Sequence, residues 1–92
     1  MNTLNSYVLL DKQAKQFNTP MFLANDAVAI RTIKNELMNP NSQISLSPED
    51  FAIYKNGEYD PEIGTLHVDR DEVISLVIEV SEIQLPNTKE VK

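Results

Sequence analysis

Four cations in the first half of the chain, Lys12, Lys15, Arg31 and Lys34, stand near three strand-forming stretches that carry Tyr7, Phe17 and Tyr54. Ammonium and guanidinium groups track phosphates, and aromatic rings offer faces on which unpaired bases stack, so the combination suits single-stranded nucleic acid. The same residues serve equally well as core aromatics and solvated cations. Which holds depends on whether they converge on one uncovered surface. Other chemistries are poorly supplied. The 92 residues include no Cys and one His, His67, which excludes a disulfide scaffold, a thiolate metal centre, a Cys nucleophile and a two-His metal site. Two glycines, Gly57 and Gly64, cannot build a phosphate-cradling loop. Acids such as Glu49, Asp50, Glu58, Asp60 and Glu62, and the cluster Asp69-x-Asp71-Glu72, have the oxygen ligands that Mg²⁺ prefers, but acids on turns are usually solvated. His67 has no glycine-flanked nucleophile to serve. The expectation is a non-catalytic protein with no cofactor and no metal.

Charge sharpens this reading. Eight Lys and Arg against 14 Asp and Glu give −6 at neutral pH. Residues 1–48 carry four basic and three acidic side chains, a balance of +1, while residues 49–92 carry four basic and eleven acidic, a balance of −7. The average thus conceals two unlike halves, and a local cationic site remains compatible with an acidic chain. Long-range repulsion still holds any affinity for a polyanion low and makes it salt-dependent.

The elements that must position these residues follow from hydrophobic pattern. A hydrophobic content of 41% is enough for a packed core in a single small domain. Tyr7 to Leu10 is a short β-prone run, and Phe17 to Ala24 reads as a second strand. Pro20 lacks an N–H, so that strand should lie at an edge, be bulged, or begin near the proline. Asn25 and Asp26 precede Ile30, Ile33 and Leu37 at helical spacing, which predicts a helix over 27–38 that Asn39-Pro40-Asn41 ends. Ser42 to Pro48 is a loop, with Ile44 and Leu46 as anchors. Phe51 to Tyr59 reads as a strand bulged at Gly57, turning through Asp60 to Gly64 into a return strand at Thr65 to Val68. Ile74, Leu76, Ile78 and Val80 alternate, which favours a strand over a helix across 73–82. The order β-β-α-β-β-β predicts an α+β fold, an antiparallel sheet of four to five strands with one helix on one face, in a single domain over 1–84 with a flexible tail over 85–92. No apolar run is long enough for a signal segment or membrane span, so the expected location is the cytoplasm.

Several stretches also resemble a known family. These are Tyr7-Val8-Leu9-Leu10-Asp11-Lys12-Gln13-Ala14, Phe17-Asn18-Thr19-Pro20-Met21-Phe22, Ala29-Ile30-Arg31, Asn39-Pro40-Asn41-Ser42-Gln43, Ser47-Pro48-Glu49-Asp50-Phe51 and Tyr54-Lys55-Asn56-Gly57-Glu58-Tyr59-Asp60, followed by Gly64. In this collinear order they resemble the small nonstructural, DNA-binding protein of gokushovirus-type Microviridae, tailless bacteriophages with single-stranded DNA genomes. The resemblance implies a phage accessory protein in the host bacterial cytoplasm, acting in genome replication or packaging. It carries over no catalytic residue. The expected partners are single-stranded DNA, through Lys12, Lys15, Arg31, Lys34, Tyr7, Phe17 and Tyr54, and phage or host replication and packaging proteins. The alternative is a protein-interaction module, a homodimer or an adaptor docking on that machinery without touching DNA.

Overall fold

Strand β1 (Leu4–Asp11) pairs antiparallel with β4 (Phe51–Asp60) from Leu4↔Tyr59 to Asp11↔Phe51. The computed structural model describes residues 3–68 and 74–85. Two short strands flank each side of this central ribbon. On the β1 side lie β2 (Gln16–Phe17) and β3 (Met21–Leu23); on the β4 side lie β5 (Thr65–His67) and β6 (Ser75–Glu79). All pairings are antiparallel, giving six strands where the sequence predicts four to five. The difference comes from the stretch after Phe17. There Pro20 offers no ladder N–H, and Asn18 instead closes the edge of β1: its side-chain oxygen accepts from the Leu9 N–H at 2.8 Å and its own N–H donates to the Leu9 carbonyl at 3.0 Å. The single expected strand is therefore two.

Helix α1 (Asp26–Leu37) begins where Asn25 caps it, the side-chain oxygen accepting from the Val28 N–H at 2.9 Å. Ala29, Ile33 and Leu37 point into a core completed by Tyr7 and Leu9 of β1 and Phe51 and Ile53 of β4. Helix α2 (Gln43–Leu46) adds Ile44, and a 3₁₀ turn at Val80–Glu82 brings in Val80 and, just beyond it, Ile83. Of the two anchors expected in the 42–48 loop, only Ile44 is buried. Leu46 is 72% exposed, because α2 is a single turn and can present only one of the two residues to the core.

Tyr7 ties the layers together. It is 0% exposed, and its hydroxyl donates to Asp26 Oδ1 at 2.5 Å in the first turn of α1 while accepting from Asn5 Nδ2 at 2.8 Å. Burial, reinforced by the Asp26 carboxylate, pushes its pKa up from 10.0 to about 12. The sequence places Tyr7 in the nucleic-acid site, and the structure corrects this: a ring enclosed beneath α1 offers no face to a base.

The chain between the paired segments of β4 is also informative. Register shifts by one residue between Gly57, opposite Ser6, and Lys55, opposite Tyr7, so Asn56 is the extra residue of a β-bulge. At Gly57 a Cβ would meet the His67 carbonyl oxygen at 2.6 Å, so glycine lets β5 approach. The return to β5 closes as expected, with Gly64 at φ 69° and its N–H donating to the Asp60 carbonyl at 2.8 Å. Of the strand expected over 73–82, Ser75–Glu79 forms one, and Val80–Glu82 turns away from it as the 3₁₀ turn. The tail expected over 85–92 lies almost wholly outside the described residues, with only Leu85 inside them.

Two predictions follow from these contacts. Tyr7→Phe should lose about 1 kcal/mol at neutral pH through the missing hydrogen bonds, measured by urea denaturation. Because the native state holds the Tyr7 phenol neutral more firmly than the unfolded chain does, its contribution is complete below pH 10 and is lost between pH 10.0 and about 12. The wild type should therefore lose on the order of 2 kcal/mol more than Tyr7→Phe across that window, and parallel pH profiles would remove the tyrosine from this role. Separately, Gly57→Ala should destabilise by about 1–3 kcal/mol, since the contact it creates is with backbone and the β4–β5 pairing must shift to relieve it; an unchanged denaturation midpoint would contradict this.

Candidate nucleic-acid interface

The sheet has two unlike faces. Tyr7, Leu9, Phe51 and Ile53 face the helices. The alternate residues of β1, namely Leu4, Ser6, Val8 and Leu10, face the other way with their register partners Tyr59, Gly57, Tyr54 and Ala52. No described helix lies on that second side. Yet Ser6 and Val8 are buried there, because aromatic rings from the flanking strands cover them.

Those rings form two pairs that bridge β1. Phe17, opposite Leu10, meets Tyr54, opposite Val8, edge to face with centroids 5.8 Å apart and planes at 82°. Phe22, opposite Ser6, meets Tyr59, opposite Leu4, at 5.2 Å and 47°. Four residues along β1 separate the two stations, about 13 Å at roughly 3.3 Å per residue. Phe17 is 46% and Phe22 42% exposed. In both pairs the rings are inclined to one another rather than stacked flat, and the two phenylalanines keep a large share of their surface toward solvent.

Lys12 stands at the Phe17–Tyr54 end. Its ammonium donates to Glu79 Oε1 at 2.6 Å and to the Glu49 carbonyl at 3.3 Å. Glu79 lies opposite Ala52 on this same face. The hydrogen bond to Glu79 raises the Lys12 pKa, with smaller contributions from Tyr54 and Asp50 nearby, so Lys12 is charged at neutral pH. Lys15 sits exposed in the β1–β2 turn at φ 59°. That turn is held by Asp11, whose carboxylate accepts from the N–H groups of Gln13 at 3.0 Å and Ala14 at 3.2 Å.

The expected site is thus only partly assembled. Phe17, Tyr54 and Lys12 come together, and Lys15 lies at the same end of the sheet. Arg31 and Lys34 do not join them, because they ride on α1, across the sheet from the aromatic pairs. Tyr7 is in the core. Sequence reasoning passes over Phe22 and Tyr59. Tyr54 and Tyr59 are five residues apart, a spacing that puts them on opposite faces of a regular strand; the bulge at Asn56 brings them onto one. Phe17 and Phe22 have the same odd spacing and are reunited by the break between β2 and β3. A bulge is readable in the sequence at Gly57, one residue from the extra residue Asn56, and the break at Pro20 is readable too; they are the signals that relocate these rings.

Other clusters are less developed. A cavity of about 290 Å³ between β5 and β6 is lined by Lys55, Gly57, Glu58, His67 and Ser75 among others, but no hydrogen bond joins His67 to Ser75 or Glu58. Among the described residues no group of three or more His, Cys, Asp or Glu is placed to hold a metal ion. The cluster Asp69-x-Asp71-Glu72 lies outside them. No described helix is long and apolar enough to cross a membrane.

No curated protein and no solved structure matches the chain. A family model described as Phage ORF5 protein matches residues 4–83, a span that takes in every strand, both helices and both aromatic pairs. The chain therefore belongs to the Phage ORF5 protein family.

Proposed function

We propose that this phage accessory protein binds single-stranded DNA on the sheet face that no described helix covers, during genome replication or packaging in the host bacterial cytoplasm. The observation that supports this most is the placement of two aromatic pairs, Phe17–Tyr54 and Phe22–Tyr59, on a face that no described helix covers, with Lys12 at one end. Stacking suits a strand whose bases are unpaired and discriminates little among sequences. Base–aromatic stacking contributes about 1–3 kcal/mol per base, so two stations supply on the order of 2–6 kcal/mol. Alone, that corresponds to dissociation constants from tens of millimolar to tens of micromolar. A single chain is therefore a weak binder, and occupancy of a genome requires several copies along one strand. Because the cations near the rings among the described residues are Lys12 and Lys15, the affinity rests on rings more than on phosphates, and its salt dependence is shallow for a DNA-binding protein.

Anisotropy of a labelled oligo-dT at low salt, titrated to several hundred micromolar protein, tests the reading. Saturable binding is expected, weakened roughly tenfold by Tyr54→Ala and unchanged by Arg31→Ala with Lys34→Ala, both on the other side of the sheet. Absence of binding, or loss of it through the helix cations alone, would overturn the platform.

A second reading has one observation in its favour. Leu66, opposite Tyr59, and Leu76, opposite Tyr54, face the same side and are about half exposed. Aliphatic side chains give bases no π surface but suit a protein partner, either a second copy of this chain or a replication or packaging protein. If this face is a dimer interface, light scattering at millimolar concentration should give twice the monomer mass, and Leu76→Ser should return it to the monomer. A monomer throughout would leave no role for self-association.

A further inference from the structure

The Lys12–Glu79 pair sits in the platform in a way that ordinary phosphate binding does not explain. A lysine intended for phosphates is normally left unpaired, whereas this one spends two of its three N–H donors on Glu79 Oε1 and the Glu49 carbonyl. Glu79 belongs to β6, and its register opposite Ala52 fixes it beside the Phe17–Tyr54 station. Both side chains are partly exposed, at 39% and 32%, so the pair is accessible to an incoming strand and holds little of the fold together.

We infer that Glu79 determines the selectivity of this surface, acting as a resident anion that makes the site respond to bases rather than to bare phosphate. The inference rests on the single-strand reading proposed above. A phosphate that approaches Lys12 meets a carboxylate at ion-pair distance from the same ammonium, and the two anions repel. To engage the phosphate, Lys12 must release Glu79, which then needs a counterion of its own. One cation is freed from the nucleic acid and another is taken up by the protein, so the exchange contributes almost nothing to counterion release. A ligand with stacking bases still gains at the aromatic pairs. A polyanion without bases gains nothing to offset the repulsion. The pair thereby biases the surface against polyphosphate and sulfated polysaccharide, and against duplex DNA, whose bases are hidden from a flat platform.

The test is Glu79→Gln, which keeps an oxygen able to accept from Lys12 but removes the charge. Glu82→Gln, three residues further on and exposed, makes the same change in net charge outside the platform and serves as control. Oligo-dT and heparin are titrated against the wild type and both variants over a range of salt, with circular dichroism melts confirming that each is folded. Glu79→Gln is expected to bind oligo-dT several-fold more tightly, with a log–log salt slope steeper by about 0.7, the increment for one further phosphate contact on a single strand. It should also bind heparin, which the wild type should not. Glu82→Gln should match the wild type in slope and in its indifference to heparin. If oligo-dT binds the wild type but the two variants are indistinguishable, Glu79 has no such role while the aromatic platform stands. If no protein binds oligo-dT, the platform itself fails and this inference falls with it.

Discussion

Everything in this fold hangs on the antiparallel ladder between β1 and β4. Its register, set at Leu9↔Ile53, assigns Tyr7, Leu9, Phe51 and Ile53 to one side and Val8, Leu10, Ala52 and Tyr54 to the other. A slip of one residue would turn one strand over against the other, bringing either the enclosed Tyr7 phenol into water or Tyr54 under the helix. The core face has several means of holding the register. Tyr7 reaches Asp26 on α1, and Ile33 and Leu37 pack on the strands below. The other face adds less, since its aromatics shield Ser6 and Val8 but remain partly exposed themselves. One consequence is a built-in asymmetry: the core cluster lies on the helix side, and the other side carries the partly exposed aromatic pairs.

The second constraint is the pair of irregularities that bring the rings together. An unbroken β4 would send Tyr54 and Tyr59 to opposite faces, and an unbroken strand from Phe17 to Phe22 would separate those two as well. The extra residue at Asn56 corrects the first, and the segment Asn18–Pro20 corrects the second. Both devices cost ladder hydrogen bonds, which the chain partly recovers: Asn18 satisfies the edge of β1 around Leu9, and Gly57 lets β5 close on β4 beyond the bulge. The buried hydroxyl of Ser6, which has no hydrogen-bond partner among the described residues, lies in this same region opposite Gly57 and Phe22.

These features explain what the sequence discloses and what it withholds. The helix is legible because its signals are local: Asn25 to cap, Ile30, Ile33 and Leu37 at three and four, Pro40 to stop. The turn at Gly64 and the bulge near Gly57 are legible for the same reason. The face on which a strand residue lies is not local. It depends on how the strands pair, for Tyr7 and Tyr54 with a partner more than forty residues away, so Tyr7, Phe17 and Tyr54 look equivalent in the sequence while one is enclosed and two are not. The cations divide likewise, because whether a residue of α1 shares a surface with Lys12 is decided by the side of the sheet on which α1 packs. Leu46 has the composition of an anchor, but a one-turn helix gives it nowhere to reach.

Net charge is the other property whose meaning changes with the fold. The separation into a near-neutral first half and an acidic second half does not become a basic face opposite an acidic one, since β4 pairs with β1 and sets Glu58 opposite Asn5, and β6 on the far side of β4 brings Glu79 to Lys12. Lys12, at the Phe17–Tyr54 end, is met there by Glu79 from the acidic half and lies close to Asp50. An acidic chain that used its few cations as unpaired phosphate ligands would have to bring them within a screening length of many acids, and every contact would weaken further at physiological salt. Relying on ring faces avoids that penalty, because stacking is barely affected by ionic strength. On the proposed reading, the acidic charge opposes indiscriminate attachment to polyanions while leaving the stacking of exposed bases intact, so a net charge of −6 is compatible with the proposed single-strand platform.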